Sequence, residues 1–169
     1  NVDVQFLLFN NEIYGLTKGQ YSPTSRAGMR SPSTPHGSVD KPVSAAAFAL
    51  GAGARFIARG VDTIQKKLPD IFVRAHAHRG TSFVEIFQNC IVYNDGVFSN
   101  FTDKGVAANC QIHLEHGKPM TFGSDGQLGL RIAAGKLALE VVTIGQSGVT
   151  ESDIVVHDET DRIMAHMLA

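Results

Sequence analysis

A chain of 169 residues is long enough to bury one ordinary hydrophobic core, or a domain with an appendage. With 43% hydrophobic and 18% charged residues the composition is globular, and 15 basic against 16 acidic side chains leave a formal charge of −1, which argues against a nucleic-acid surface. The sequence has no apolar run of about 18 residues, and it opens without the basic stretch and small-residue cleavage site of a secretion signal, so no membrane partner is expected either.

Residues 1–4, Asn-Val-Asp-Val, lead straight into an apolar strand with no initiator methionine, and the chain is expected to be a piece of a longer polypeptide. Phe6, Leu7, Leu8 and Phe9 form an apolar run without alternation. That pattern predicts a strand buried on both faces of a parallel sheet covered by helices. Asn10 and Asn11 end the run. Ligands of open parallel sheets bind beyond the carboxyl ends of the strands, which makes residues 9–20, FNNEIYGLTKGQ, the first candidate site. An Asn oxygen and a backbone carbonyl two residues on can fill adjacent positions around a Mg²⁺ that also holds a diphosphate; here these are Asn11 and Ile13. Gly15 and Gly19 let the backbone approach anionic oxygens, Thr17 offers a hydroxyl and Lys18 a positive charge. The competing reading is a solvated turn, since paired Asn residues followed by glycines are ordinary turn chemistry.

Residues 21–42 contain four prolines and are expected to lack regular structure. They read either as a flexible surface loop or as a segment ordered by a cofactor or a neighbouring subunit through Arg26, Arg30 and His36. Residues 43–52 predict a short helix closed by Gly51 and Gly53, and residues 55–59 a strand. Asp62 is a plausible cap for a helix running to about His78, with Pro69 breaking or kinking it. His76 and His78, two apart at its end, suit the negative pole of that helix. Residues 82–87 read as the next strand, completing an order of elements typical of a parallel α/β sheet. Beyond Phe98 the pattern weakens: short strands over residues 118–122, 128–132 and 136–144, a loop over 147–153, and a last helix capped by Asp158 or Thr160. A boundary is placed between residues 93 and 98.

Cys90 and Cys110 are the only thiols, too few for a disulfide framework, which points to a reducing cytoplasm. Cys110, His113 and His116 at steps of three can share a helix face, but no second pair follows to complete a four-ligand zinc site. Cys90, in Gln88-Asn89-Cys90-Ile91, reads by itself as a small buried hydrophobe at a strand end.

The runs LLFNNEIYGLTKGQYSPTS (residues 7–25) and SFVEIFQNCIVYNDGVF (residues 82–98) closely resemble the β subunit of 2-oxoacid:ferredoxin oxidoreductases, especially the 2-oxoglutarate type. The resemblance implies part of the thiamine-diphosphate-binding α/β fold, mainly a parallel sheet, over residues 1–95, and a C-terminal α+β extension over residues 96–169. Implied cofactors are thiamine diphosphate, Mg²⁺ and a [4Fe-4S] cluster. The cofactor would be held by Asn11, Ile13, Gly15 and Thr17, with Asn11 and the Ile13 carbonyl on Mg²⁺, and Cys90 would be one thiolate of the cluster. Leu16 and Lys18 match positions associated with substrate choice, and this pair looks like the 2-oxoglutarate type. In the family a preceding half carries a Gly-Asp-Gly segment and three more cluster cysteines, so these residues alone are expected to be inactive. The implied reaction is oxidative decarboxylation of a 2-oxoacid to an acyl-CoA with electrons passed to ferredoxin, in an (αβ)2 assembly whose α subunit supplies the activating carboxylate. Rival readings are a pyruvate-type enzyme, a cluster-free thiamine-diphosphate decarboxylase, and a catalytically silent piece that keeps subunit contacts.

Overall fold

The computed structural model describes residues 2–169. They fall into two compact units, one reaching Ser99 and the other running from Asn100 to Ala169.

The first unit is built on three parallel strands, β1 (Gln5–Asn10), β2 (Phe56–Val61) and β3 (Ser82–Phe87), in the order β1-β3-β2. Parallel pairing requires crossovers, and helices α1 (Ala45–Gly51) and α2 (Leu68–Ala77) lie in the two connections. Ser44 starts α1 by accepting the Ala47 N–H on its Oγ at 3.2 Å. The helix expected from Asp62 begins only at Leu68, with Pro69 in its first turn, where a missing N–H costs nothing. Asp62 instead takes the Asn89 N–H at 3.3 Å. Ala75, Val84 and Ile86 form the buried centre, with Phe56, Ala58, Leu68, Ile71 and Phe72 around them. Gly60 lets α2 settle on β2: a Cβ there would stand 2.6 Å from Leu68 Cδ2.

One expectation is not met by the described residues: they leave β1 uncovered, with Phe6, Leu7 and Phe9 54, 44 and 55% exposed. Its single neighbour is β3, while α1 and α2 pack on β2 and β3. An apolar run reports that a strand needs cover, and says nothing of which strand the local helices reach.

Residues 21–42 contain no helix and only one isolated bridge, Ser31 to Thr34. They are tied by their own backbone: Gly28 donates to the Ser38 carbonyl at 2.7 Å and Ser38 to that of Met29 at 2.9 Å. Gly37, at φ 98°, sits where a Cβ would be 3.0 Å from the Gly28 carbonyl oxygen.

The second unit holds the antiparallel strands β4 (Thr121–Phe122), β5 (Leu128–Ile132) and β6 (Leu139–Thr143), with β5 central. Met120, Val149, Ile154 and Met164 are its buried side chains. The stretch over 147–153 closes into a short 3-10 helix, Glu151–Asp153, held by a reciprocal cap between Thr150 and Asp153. The last helix, α5 (Arg162–Leu168), is capped by neither Asp158 nor Thr160 but by Asp161, which accepts the Ile163 and Met164 N–H groups at 2.8 and 3.2 Å. Asp158 closes the preceding turn by accepting the Thr160 N–H and hydroxyl. Between Ser99 and Cys110 lie two one-turn helices, α3 (Ser99–Thr102) and α4 (Ala107–Cys110). Because α4 stops at Cys110, His113 and His116 share no helix face with it. Among the described residues no group of three or more His, Cys, Asp or Glu can hold a metal ion, and no helix is long and apolar enough to cross a membrane.

Candidate cofactor site

The carboxyl ends of β1 and β3 are adjacent, with Asn10 in register with Phe87, so the segments leaving them meet. Residues 11–20 leave β1 and residues 88–98 leave β3. Asn94 Nδ2 donates to the Asn11 carbonyl at 2.9 Å, and Asn94 N–H closes its own turn onto the Cys90 carbonyl. Gly15 lies against the thiol: a Cβ there would be 3.3 Å from Cys90 Sγ. Gly19, at φ 89°, is pressed on Tyr93 in the same way: a Cβ there would be 2.9 Å from the ring's Cδ1. Asn11, Gly15 and Cys90 therefore occupy one end of the sheet.

The loop is closed by its own backbone. Tyr14 donates to the Gln20 carbonyl at 2.8 Å, Gly19 to that of Tyr14 at 3.0 Å and Lys18 to that of Gly15 at 3.0 Å. Thr17 Oγ1 adds a bond to the Tyr14 carbonyl at 3.1 Å. At the tip, the N–H groups of Leu16 and Thr17 carry no hydrogen bond among the described residues. Leu16 is fully exposed, and Lys18 is exposed at φ 70°, an uncommon conformation for a side chain of its size.

The oxygens expected to meet Mg²⁺ are half engaged. Asn11 Oδ1 accepts the Ile13 N–H at 3.3 Å, and the Ile13 carbonyl accepts the Gly15 N–H at 3.1 Å. Each sp² oxygen has a second lone pair, and neutral oxygen donors suit a hard cation. The donor chemistry thus fits Mg²⁺ with a diphosphate. An iron-sulfur cluster does not fit these residues alone: it needs four thiolates, and the chain has two, Cys90 in the first unit and Cys110 in the second.

Beneath the loop lies a polar network that strand and turn patterns do not reveal. Glu85 points inward from mid-β3 and is 3% exposed. Its Oε1 accepts from Asn10 Nδ2 at 2.8 Å and its Oε2 from Arg59 Nε at 3.1 Å. Asn10 Oδ1 accepts the Glu12 N–H at 3.1 Å and the Thr24 hydroxyl at 2.8 Å. Glu12, at φ 55°, pairs with Arg26 at 2.8 Å, and Arg26 also donates to the Val97 carbonyl at 2.6 Å. Burial pushes the Glu12 carboxyl above its ordinary 4.5; Arg26 opposes that rise, and the Glu85 charge adds to it. The fully buried Ser25 donates its hydroxyl to the Glu12 carbonyl at 2.5 Å, so residues 22–26 are stitched to the candidate loop. The one sequence signal for all this was a glutamate inside the apolar run SFVEIF.

Residues 1–86 match the model of the family described as "Thiamine pyrophosphate enzyme, C-terminal TPP binding domain". The chain belongs to that family. It is 42% identical over 158 residues to the 2-oxoglutarate oxidoreductase subunit KorB of Mycobacterium tuberculosis, covering 94% of this chain and 41% of that protein. To the 2-oxoacid:ferredoxin oxidoreductase subunit beta of Saccharolobus solfataricus it is 37% identical over 106 residues, 63% of this chain and 35% of the relative. Among solved structures, a 2-oxoglutarate:ferredoxin oxidoreductase from Magnetococcus marinus, with 2-oxoglutarate, coenzyme A and succinyl-CoA bound, superposes with a TM-score of 0.55 at 38% identity. That match covers 56% of this chain and 33% of the other. The chain thus spans about two fifths or less of the length of these relatives. Within the thiamine pyrophosphate-binding domain, the matched residues include the whole candidate loop and Glu85, whereas Cys90 follows the match.

Proposed function

We propose that the chain contributes to the β subunit of a thiamine-diphosphate-dependent 2-oxoacid:ferredoxin oxidoreductase, with 2-oxoglutarate as the substrate. The observation that carries this reading is the meeting of the Asn11 to Gly19 loop with Cys90 at the carboxyl end of a parallel sheet, in a chain of this family. Asn11 Oδ1 and the Ile13 carbonyl would ligate Mg²⁺, and the bare N–H groups of Leu16 and Thr17, with Gly15, would face the diphosphate. When bound, thiamine diphosphate supplies the carbanion chemistry that a 2-oxoacid needs to lose CO2.

The side chains of this chain bind and orient. Lys18 would meet the distal carboxylate of 2-oxoglutarate, and the fully exposed Leu16 would wall the substrate cavity. Cys90 would give one thiolate to a [4Fe-4S] cluster whose other ligands come from outside these residues. An α subunit, ferredoxin and coenzyme A complete the proposed complex, an (αβ)2 assembly in the cytoplasm. The test is removal of metal and cofactor from the assembled complex with a chelator. Coenzyme A-dependent oxidation of 2-oxoglutarate is expected to return only when both Mg²⁺ and thiamine diphosphate are restored, and activity independent of the two would overturn the assignment.

A further inference from the structure

We propose that Glu85, whose hydrogen bonds go to Asn10 and Arg59 and not to the oxygens proposed to hold Mg²⁺, is a positioning residue that sets the loop's geometry through Asn10; this rests on the reading of the loop as the diphosphate site. An ionised carboxylate can only accept hydrogen bonds. Asn10 must therefore turn its NH2 towards Glu85, and that leaves Oδ1 facing the Glu12 N–H and the Thr24 hydroxyl, both of which donate. The buried charge removes the twofold ambiguity of the Asn10 amide. With that orientation fixed, the chain leaves β1 through Glu12 in its left-handed conformation, Asn11 offers its carbonyl to Asn94, and the residues proposed to hold Mg²⁺ follow at once. Arg59, on the opposite neighbour of β3, balances the charge.

A neutral amide at position 85 cannot do the same. If the side chain introduced by Glu85→Gln presented its oxygen to Asn10, its NH2 would face Arg59 Nε–H, a donor against a donor. If it presented NH2 to Asn10, then Asn10 would have to flip and turn its own NH2 onto the Glu12 N–H. Exchanging the two groups removes the conflict. With Asn10→Asp and Glu85→Gln together, the amide now on β3 donates to the carboxylate now on β1 and accepts from Arg59, and that carboxylate keeps an oxygen for Glu12 and Thr24.

The experiment is a cycle of Glu85→Gln, Asn10→Asp and the double variant in the assembled complex. It reads the dissociation constant for thiamine diphosphate at saturating Mg²⁺ by calorimetry, with kcat and the melting temperature beside it. Each single variant is expected to weaken cofactor binding by about tenfold, the equivalent of one mispaired buried hydrogen bond. The double variant is expected to recover to within about threefold of the starting protein. In the single variants kcat at saturating cofactor should fall less than the affinity does. Unchanged affinity in the singles, or a double variant no better than either, would overturn the proposal. Should a single variant fail to assemble, Thr24→Val, which deletes only the hydroxyl bond to Asn10, is expected to weaken binding by a few fold, and no change there would overturn it equally. A starting protein that binds no thiamine diphosphate would overturn the functional reading instead.

Discussion

The two units treat polar groups in opposite ways. Every buried polar or charged side chain among the described residues, Asn10, Ser22, Ser25, Ser38, Ser82 and Glu85, lies in the first unit, and the second buries only apolar ones. Each unit contains an Arg–Glu pair across adjacent strands, yet Glu85 is nearly inaccessible, while Arg131 and Glu140 are 38 and 40% exposed. Burying a polar group without a partner is costly, so an interior network indicates where geometry is held against that cost. Here Asn10, Glu85, Ser22 and Ser25, joined through Thr24, form such a network beneath the candidate cofactor loop. The second unit's buried side chains, Met120, Val149, Ile154 and Met164, ask only for volume and shape.

Substitutions that separate the units test that contrast. Glu85→Ala should show the largest effect, because it removes the carboxylate that both the Asn10 NH2 and the Arg59 Nε–H reach. Urea unfolding should report a loss of about 3 kcal/mol, the low end for a broken buried pair since Arg59 is 35% exposed. Gly129→Ala should come next: a Cβ there would meet Ile154 Cδ1 at 2.5 Å, and Ile154 is buried. Overpacking of that kind costs about 1–3 kcal/mol, and the loss should leave thiamine diphosphate affinity unchanged. Glu140→Ala should cost less than about 1 kcal/mol, as exposed pairs do, and a loss rivalling that of Glu85→Ala would erase the distinction between the units.

The smallest effect is a slope. The Glu12 carboxyl is raised in the folded protein, so the folded state holds its proton to higher pH than the unfolded chain does. Between the ordinary 4.5 and the raised value, stability from this group falls as pH rises, and its cost is fully present above the folded value. Glu12→Gln should flatten the pH dependence of urea midpoints in that window. An unaltered profile would show that Arg26 cancels the burial.

Much of the fold was legible because it depends on neighbours in sequence. β3 occupies the predicted residues 82–87, and the expected strand over 128–132 is β5, each an apolar run bounded by turn residues. What failed depends on choices between near equivalents or on distant partners. Asp62, Asp158 and Thr160 are all competent caps, but Pro69 in the first turn and Asp161 decide where α2 and α5 begin. Among the described residues β1 stays uncovered because α1 and α2 pack on β2 and β3, which its own residues do not encode. At the site, the nearness of Cys90 to Gly15 was implied only by resemblance, and the bond from Asn10 to Glu85 spans 75 positions that no local pattern connects. A lone glutamate in an apolar strand was the available clue, and its meaning depended on knowing what lay opposite.

The outer edge of β1 gives the chain a handling property of its own. Among the described residues β1 pairs only with β3, and its other edge, beside Phe6, Leu7 and Phe9, is a template on which a second copy can add a strand. Solutions of these residues alone should turn turbid as concentration rises, and Leu7→Lys should keep them clear.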